Sequence, residues 1–179
     1  EQAWNHWKQI RAAVAEAQPN SAHIALAEST IVETIITQNI DGLHQKAGSK
    51  HVIELHGNIG TNTCTRTTCN TKTEARDDDG PNLRCQKCGK PARPDIIAFG
   101  QRIPATRLRQ AGAALKHANT LLYIGTSGNV WPAAGWIEQF NGHTILLDPN
   151  NWDNSSFDTW IQATAEQGLP PLLKELATP

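Results

Sequence analysis

The sequence predicts an α/β fold with a parallel sheet that carries helices on both faces. Short apolar runs typical of buried strands alternate with longer segments of helical periodicity. Polar and titratable side chains collect where two of these runs end, and open α/β sheets bind ligands at such ends. One cysteine-rich segment breaks the alternation and predicts a small inserted module.

Two helices are predicted at the start of the chain. Over residues 3–17 large apolar side chains recur at steps of three and four, as in an amphipathic helix: Trp4, Trp7, Ile10 and Val14. The segment 18–21 breaks this helix and caps the next one, Ala22–Glu28, in which His23 is interpreted as structural.

Later elements follow from short apolar runs and helical stripes. Strands are predicted over residues 31–37, 51–55, 93–104 (ending at Phe99-Gly100), 120–125 and 143–147. Helices are predicted over residues 105–117, 132–140 and 171–176. Leu108, Ala111 and Leu115 share one side of the first of these helices. Residues 157–161 are ambiguous between strand and helix.

Composition limits the classes of function. A chain of 179 residues suits one domain, or one domain with a small insert. The net charge of −1 and the pI near 6.7 give no field that would recruit nucleic acid or an anionic membrane. No apolar run approaches the ~20 residues that span a bilayer, and no signal peptide is visible. We therefore expect a soluble, cytoplasmic protein.

The clearest functional signal is TQNIDGLHQKAGSKHVIELHG, residues 37–57. The first predicted strand here stops at the polar residues Gln38, Asn39 and Asp41. The second delivers His56. Because amide, carboxylate and imidazole groups converge on two strand ends, we predict a functional site and not an isolated structural histidine.

Residues 58–95 carry four cysteines in the pattern C-x4-C-x15-C-x2-C: Cys64, Cys69, Cys85 and Cys88. Threonine, asparagine, arginine and aspartate dominate this segment, so it cannot bury a core of its own. Four thiolates suit tetrahedral Zn²⁺, and full coordination leaves no position for a reacting water. We predict a structural zinc ion and no disulfides.

The motif TQNIDGLH, the later LHG and the four cysteines closely resemble the sirtuin family of NAD-dependent protein deacylases. PNSAHIAL and GTSGNVWPAAG resemble two further sirtuin segments. The resemblance implies a Rossmann-like NAD-binding domain over 1–57 and 96–179, with 58–95 as the zinc-binding module. It also implies removal of acyl groups from protein lysines with NAD, which yields nicotinamide and 2′-O-acyl-ADP-ribose.

The resemblance assigns roles to individual residues. His56 is implied to act as general base on a ribose hydroxyl, which suits an imidazole at neutral pH. Asn39 and Asp41 match residues that hold the nicotinamide amide and position the reacting centre, and Gln38 matches one near the nicotinamide ribose. Further NAD-binding positions are Gly125, Thr126, Ser127 and Asp148. The acyl-lysine substrate is expected against Ile97, Phe99, Gly100 and Val130.

Two departures from the family bear on activity. Sirtuins begin with a strand and a GAGxSxxSGIPxFR loop that binds the NAD phosphates, and nothing in this sequence matches them. Because the chain also lacks an initiator methionine, we expect a truncated first βα unit and weak NAD binding. In place of the Tyr-x-x-Arg pair that selects succinyl- or malonyl-lysine, the corresponding helix offers Trp7 with Ile10 or Trp7 with Arg11. Neither reproduces the pair, which favours acetyl-lysine.

Three alternatives remain open on the sequence. One is a catalytically silent sirtuin-like domain that binds acyl-lysine peptides or ADP-ribose. Another is an ADP-ribosyltransferase with the same fold, in which a different nucleophile captures the cleaved NAD. The third is a zinc-ribbon nucleic-acid module, which the nearly neutral charge argues against.

Overall fold

The computed structural model describes residues 1–126, 133–150 and 156–178. In chain order its elements are α1 (Gln2–Glu16), α2 (Ser21–Glu28), β1 (Ile35–Thr37), α3 (Leu43–Lys46), β2 (Val52–Glu54), β3 (Gly57–Cys64), β4 (Lys72–Glu74), β5 (Ala92–Ile96), α4 (Ala105–His117), β6 (Thr120–Ile124), α5 (Ala133–Trp136) with a 3₁₀ turn over Ile137–Gln139, β7 (His143–Leu147), β8 (Thr159–Ile161) and α6 (Ala165–Leu176).

The first two helices are as predicted. In α1, Trp4 is buried and meets the half-buried Trp7 edge to face at 5.3 Å between ring centroids. Helix α2 begins with a capping box. The backbone N–H of His23 donates to the Asn20 side chain over 3.1 Å, and the Asn20 backbone N–H donates to His23 Nδ1 over 3.4 Å. The structural role predicted for His23 is confirmed.

The parallel strands form two sheets that are not hydrogen-bonded to each other within the described chain. Strands β1 and β2 pair in one sheet, and β7 lies between β6 and β8 in the other. A cavity of about 1220 Å³ is lined by residues of β1 and β6, together with helices α2, α4 and α6. The strand edges that line this cavity therefore belong to different sheets.

The position of each strand explains its burial. Strand β7 is central and is buried from Thr144 to Leu147, as predicted. The apolar run over 120–125 is typical of a buried strand. Instead Thr120 is exposed and Leu121 and Leu122 are only half-buried, because β6 is an edge strand beside the cavity.

A third sheet is antiparallel, in the order β4-β3-β5. The strand predicted within 93–104 is present as the shorter β5, which pairs with β3 so that Gly57 lies opposite Ile96. Because β3 enters the cysteine-rich segment and β5 leaves it, their pairing brings the two ends of that segment together.

The core lies where α2 and α6 pack on β7. Its buried members are Ala22, Leu147, Leu169 and Leu173. Helix α6 was predicted only from Pro171 but begins at Ala165, capped by Thr164. The apolar residues that α6 buries here outweigh the hydrogen bonds lost at Pro170 and Pro171. The ambiguous segment 157–161 contributes strand β8.

Candidate active site and zinc module

The ends of β1 and β2 lie side by side, because Thr37 is opposite Glu54 in the parallel register. The residues that follow these ends therefore meet at one edge of the sheet. The ring nitrogen Nδ1 of His56 lies 3.1 Å from the carbonyl oxygen of Gln38. His56 and Gln38, which follow the two strand ends, are thus in contact, and the roles of Asn39 and Asp41 beside them remain predictions.

The contact of His56 with Gln38 assigns the tautomer of the neutral ring. A carbonyl oxygen only accepts hydrogen bonds, so Nδ1 carries the proton and donates it. Nε2 then keeps its lone pair. An imidazole held in this way has the atom it needs to accept a proton from a substrate hydroxyl.

The backbone around His56 is held by its neighbours. The carbonyl oxygen of His56 accepts from the Ile97 N–H over 2.9 Å, which places one predicted substrate-binding residue beside the histidine. The Leu55 N–H donates to the Thr37 carbonyl oxygen over 2.9 Å. Gly57 has φ +87°, and a Cβ there would lie 1.8 Å from the Asp95 carbonyl oxygen, so only glycine fits.

The loop after β1 is ordered by local hydrogen bonds. The Asp41 carboxylate accepts from the Leu43 N–H over 2.9 Å, which starts α3. The Asn39 N–H donates to the Thr37 hydroxyl over 3.1 Å, and the Ile59 N–H donates to the Ile40 carbonyl oxygen over 2.9 Å. Strand β3 therefore holds the polar loop through this hydrogen bond from Ile59.

The cavity between β1 and β6 gathers part of the predicted NAD-binding set. It is lined by Gln38, Asn39, Gly125 and Thr126. Asp41 and His56 are not among its described lining residues, but Asp41 is two residues from Asn39 and His56 contacts the Gln38 carbonyl oxygen. Asp148 is 3% exposed at the end of β7, where its carboxylate accepts from the Asn150 N–H over 2.8 Å.

The predicted substrate-binding residues lie in different surroundings. Ile97 is beside His56, whereas the Phe99 side chain is fully exposed on the segment after β5. Gly100 follows with φ +79°, a conformation that favours glycine. Ser127 and Val130 lie outside the described residues.

A pair of histidines in the cavity wall was not predicted as part of the site. The rings of His23 and His44 are 4.8 Å apart, and both line the cavity. Burial and the neighbouring His23 lower the pKa of His44, and the charge of Asp41 opposes them only in part. Within the described structure, Nδ1 of His44 is buried without a hydrogen-bond partner. His44 belongs to the TQNIDGLH motif, but the effect of His23 on the pKa of His44 is visible only from the packing of the two rings.

Sequence reasoning also missed Arg107 and Asp95. Arg107 Nη2 lies 2.9 and 2.8 Å from the two carboxylate oxygens of Asp95, and Nη1 lies 3.4 Å from the Leu55 carbonyl oxygen. The sequence shows only that Arg107 precedes the apolar Ala111 by four residues on one face of α4, and its pairing with Asp95 is visible only in the fold.

The four cysteines form a cluster that fits zinc. Their Sγ atoms all lie within 4.8 Å of one another, with Cys64 and Cys88 at 3.5 Å and Cys69 and Cys85 at 3.8 Å. Tetrahedral zinc with bonds of about 2.3 Å would space the sulfurs about 3.8 Å apart. The donor set therefore matches a closed, structural zinc site.

The thiols of the cluster differ in their electrostatics. Burial opposes ionisation of Cys85, but backbone N–H groups of Cys88 and Lys87 outweigh it and lower the pKa of Cys85 to about 6. Burial raises the pKa of Cys64 to about 12. A divalent cation at the centre would favour the thiolate form of every ligand.

A buried polar network ties the cysteine-rich segment to α1. Asp79 is 6% exposed and accepts from Asn62 Nδ2 over 2.6 Å and from the Arg76 N–H over 2.8 Å. Arg11 donates to the Asn62 side chain over 2.8 Å and lies 3.5 Å from Asp79. These bonds satisfy polar groups that would otherwise be costly to bury.

Comparison with known proteins identifies the family. The Sir2 family model matches residues 1–132. Over 186 aligned residues, the chain is 38% identical to the NAD-dependent protein deacylase of Pyrococcus furiosus, covering 97% of this chain and 74% of that protein. This chain belongs to the Sir2 family. The predicted sirtuin family is therefore confirmed.

Solved Sir2 structures are similar to this Sir2 chain. A Sir2 homolog in complex with NAD is 32% identical with a TM-score of 0.86, covering 98% of this chain and 71% of that one. A Sir2 complex with a p53 peptide and NAD⁺ is 31% identical with a TM-score of 0.74, covering 91% and 72%. These likenesses confirm the predicted fold class.

Proposed function

We propose that this Sir2 chain is an NAD-dependent protein deacylase that releases acyl groups from lysine side chains. The products are nicotinamide and 2′-O-acyl-ADP-ribose. The similar Pyrococcus furiosus protein is named an NAD-dependent protein deacylase, which confirms the predicted class of enzyme. The complexes of similar Sir2 proteins with NAD and with a p53 peptide support NAD and a peptide as ligands of this chain. We propose that the peptide or protein carries an acyl-lysine.

The observation that carries the proposal is the contact between His56 Nδ1 and the Gln38 carbonyl oxygen. It joins the two strand ends and leaves Nε2 as a proton acceptor. Gln38 also lines the cavity that contains Gly125. The proton acceptor therefore lies beside a hollow large enough for a nucleotide.

The residues of the cavity fit NAD. Gly125 has φ +59°, and no atom of the described residues lies within 4 Å of the position a Cβ would take, so a ligand can approach its backbone closely. When bound, NAD supplies the ribosyl carbon that the acyl oxygen attacks as nicotinamide leaves. We assign Asn39 and Asp41 to the nicotinamide end, and Gln38 to its ribose.

His56 acts in the later part of the reaction. Its Nε2 takes the proton from a ribose hydroxyl, while Nδ1 remains bonded to Gln38 and keeps the ring oriented. At the other end of the site we assign Thr126 and Ser127 to ribose and phosphate contacts. Asp148 accepts hydrogen bonds from the hydroxyls of the adenosine ribose.

We assign the substrate lysine to the surface beside His56. Ile97 meets the His56 backbone, and the exposed Phe99 with Gly100 forms one wall. We assign Val130, which lies outside the described residues, to the other wall. An extended acyl-lysine peptide would add backbone hydrogen bonds between the two walls.

We also propose that the four cysteines hold zinc without taking part in the reaction, and that the protein acts in the cytoplasm. The four Sγ atoms lie within 4.8 Å of one another, which supports a shared metal ion. Within the described part of the chain, no helix is both long and apolar enough to cross a membrane.

The test is His56→Ala, with His51→Ala as the matched control because His51 is exposed at the start of β2. Loss of the proton acceptor should lower deacylation by about 10²–10⁴-fold. Zinc content, measured by atomic absorption, should be unchanged in both variants. Normal turnover of His56→Ala in an acetyl-lysine peptide assay would refute the assignment.

A further inference from the structure

Arg107 joins α4 to the segment that carries His56. Its guanidinium is mostly buried, with 13% of the side chain exposed. Nη2 holds both carboxylate oxygens of Asp95 at 2.9 and 2.8 Å, and Nη1 reaches the carbonyl oxygen of Leu55 at 3.4 Å. One side chain thus connects α4, β5 and the residue preceding His56.

The other contacts of this segment show what Arg107 adds. The His56 carbonyl oxygen is held by the Ile97 N–H, and Gly57 packs against the Asp95 carbonyl oxygen. These contacts act on the C-terminal side of His56. The Leu55 carbonyl oxygen belongs to the peptide plane on the N-terminal side, and Arg107 is its hydrogen-bond donor from outside the strands.

Asp95 keeps the guanidinium in place. The carboxylate is 9% exposed and is also paired with Lys72 at 2.5 Å. Burial opposes its ionisation, but Lys72 and Arg107 outweigh burial and lower the pKa of Asp95. Asp95 is therefore charged at neutral pH and fixes the position of Arg107 through charge-assisted hydrogen bonds.

We propose that Arg107, anchored by Asp95, is a positioning residue for His56. It fixes the peptide plane between Leu55 and His56, and so directs the imidazole toward the Gln38 carbonyl oxygen. The inference rests on the proposed role of His56 as proton acceptor. It adds a residue of α4, far from the recognised motif in sequence, to the machinery of the reaction.

A positioning role has a distinct kinetic signature. Release of nicotinamide requires no proton acceptor, whereas the later steps require His56. Loss of Arg107 should therefore slow acyl transfer while exchange of labelled nicotinamide into NAD is retained. A displacement of about 1 Å in a catalytic group can cost about a hundredfold in rate.

The test compares Arg107→Ala and Arg107→Lys with Arg109→Ala in the full chain. Arg109 lies on the same helix and is exposed, so it controls for loss of one guanidinium from α4. The first readout is ¹⁵N NMR of the His56 ring without NAD, which reports the tautomer. The second is the ratio of deacylation to nicotinamide exchange, and circular dichroism checks that each variant is folded.

We expect Arg107→Ala to lose the dominant Nδ1–H tautomer and to lower deacylation about tenfold to a hundredfold with exchange retained. In both readouts Arg107→Lys should lie between Arg107→Ala and the parent. If Arg107→Ala does not fold, Arg107→Lys alone tests the positioning role. Arg109→Ala should match the parent in both readouts. An unchanged tautomer and an unchanged ratio in a folded Arg107 variant would overturn the inference.

The same experiment separates this inference from the proposed function. If His56→Ala retains normal deacylation, the proposed base is wrong whatever Arg107 does. If His56→Ala is inactive while Arg107→Ala and Arg107→Lys behave like the parent, the function stands and the positioning role fails.

Discussion

The strand-end site and the cysteine-rich segment are adjacent in sequence, yet they are held in different ways. Residues 37–57 lie on paired parallel strands, and backbone hydrogen bonds fix their polar ends. The Thr37 carbonyl oxygen accepts from the Leu55 N–H, and the N–H groups of Ile97 and Ile59 donate to carbonyl oxygens of this segment. The cysteine-rich segment has a three-stranded sheet, one buried network at Asp79 and a cluster of four thiols. A site that must hold reacting atoms is built on the scaffold, whereas the segment that needs only to stay folded relies on a metal.

Removal of zinc should have the largest effect on the difference between the two regions. Structural zinc contributes on the order of 10 kcal/mol to folding in small modules, so a chelator should unfold residues 58–95. The sheet of β6, β7 and β8 should remain, because its core contains none of the cysteines. Hydrogen exchange measured residue by residue checks this. Protection retained across Cys64–Cys88 after complete metal removal would contradict the account.

Substitution of Gly57 should have the next largest effect, at the boundary of the two regions. In Gly57→Ala the new Cβ meets the Asp95 carbonyl oxygen, and strain with backbone displacement should cost more than about 3 kcal/mol. Gly48→Ala is the control, since Gly48 also has positive φ but its nearest atom is 4.0 Å away. Urea denaturation measures the difference. Equal losses in both variants would show that the close contact is unimportant.

The Asp79 network should contribute less to stability than the close contact at Gly57. Asp79→Asn removes the charged partner of Arg11 and one acceptor of a buried network, which should cost about 1–3 kcal/mol. Asp78→Asn, at an exposed position one residue earlier, should cost almost nothing. Thermal unfolding of the zinc-loaded protein compares them. Identical midpoints for the two variants would mean that the network does not stabilise the segment.

The smallest effect concerns pH and the strand-end region. The pKa of His44 is lowered from 6.5 in the folded chain, so the unfolded chain binds this proton first as pH falls. The stability that neutral His44 provides is complete above pH 6.5 and is lost as pH falls from there through the folded pKa. His44→Gln should flatten the pH dependence of stability in this window, and His6→Gln controls for loss of one exposed imidazole. A slope that His44→Gln leaves unchanged would contradict this.

Regular patterns in the sequence predicted much of the fold. The stripe of α1, the cap of α2 and the helix over 105–117 all depend on residues close in sequence, and each is present. Strand β1 is shorter than its β-branched run because Ile31 is 41% exposed and precedes the pairing with β2. Such strand boundaries depend on burial by residues far away in the sequence, and no local pattern shows that burial.

In the candidate site too, the sequence predicted some contacts, whereas others are visible only in the fold. The motif and the strand ends predicted the meeting of Gln38 with His56. Arg107 was missed because Leu108 was expected on the inner face of α4, whereas Leu108 is 37% exposed. The role of Arg107 depends on the antiparallel pairing of β3 with β5, which brings Asp95 next to the segment after β2. That pairing joins residues far apart in sequence, so it was visible only in the fold.

An NMR titration of the zinc-loaded chain with NAD tests whether NAD binds at the strand ends and not at the cysteines. We predict shifts of the backbone amides of Gln38, Asn39, Gly125 and Thr126, which share the cavity, together with the His56 ring. We predict no shifts around Cys64, Cys69, Cys85 and Cys88. Saturating NAD that shifts only the cysteine-rich segment, or leaves the strand ends unchanged, would contradict this prediction.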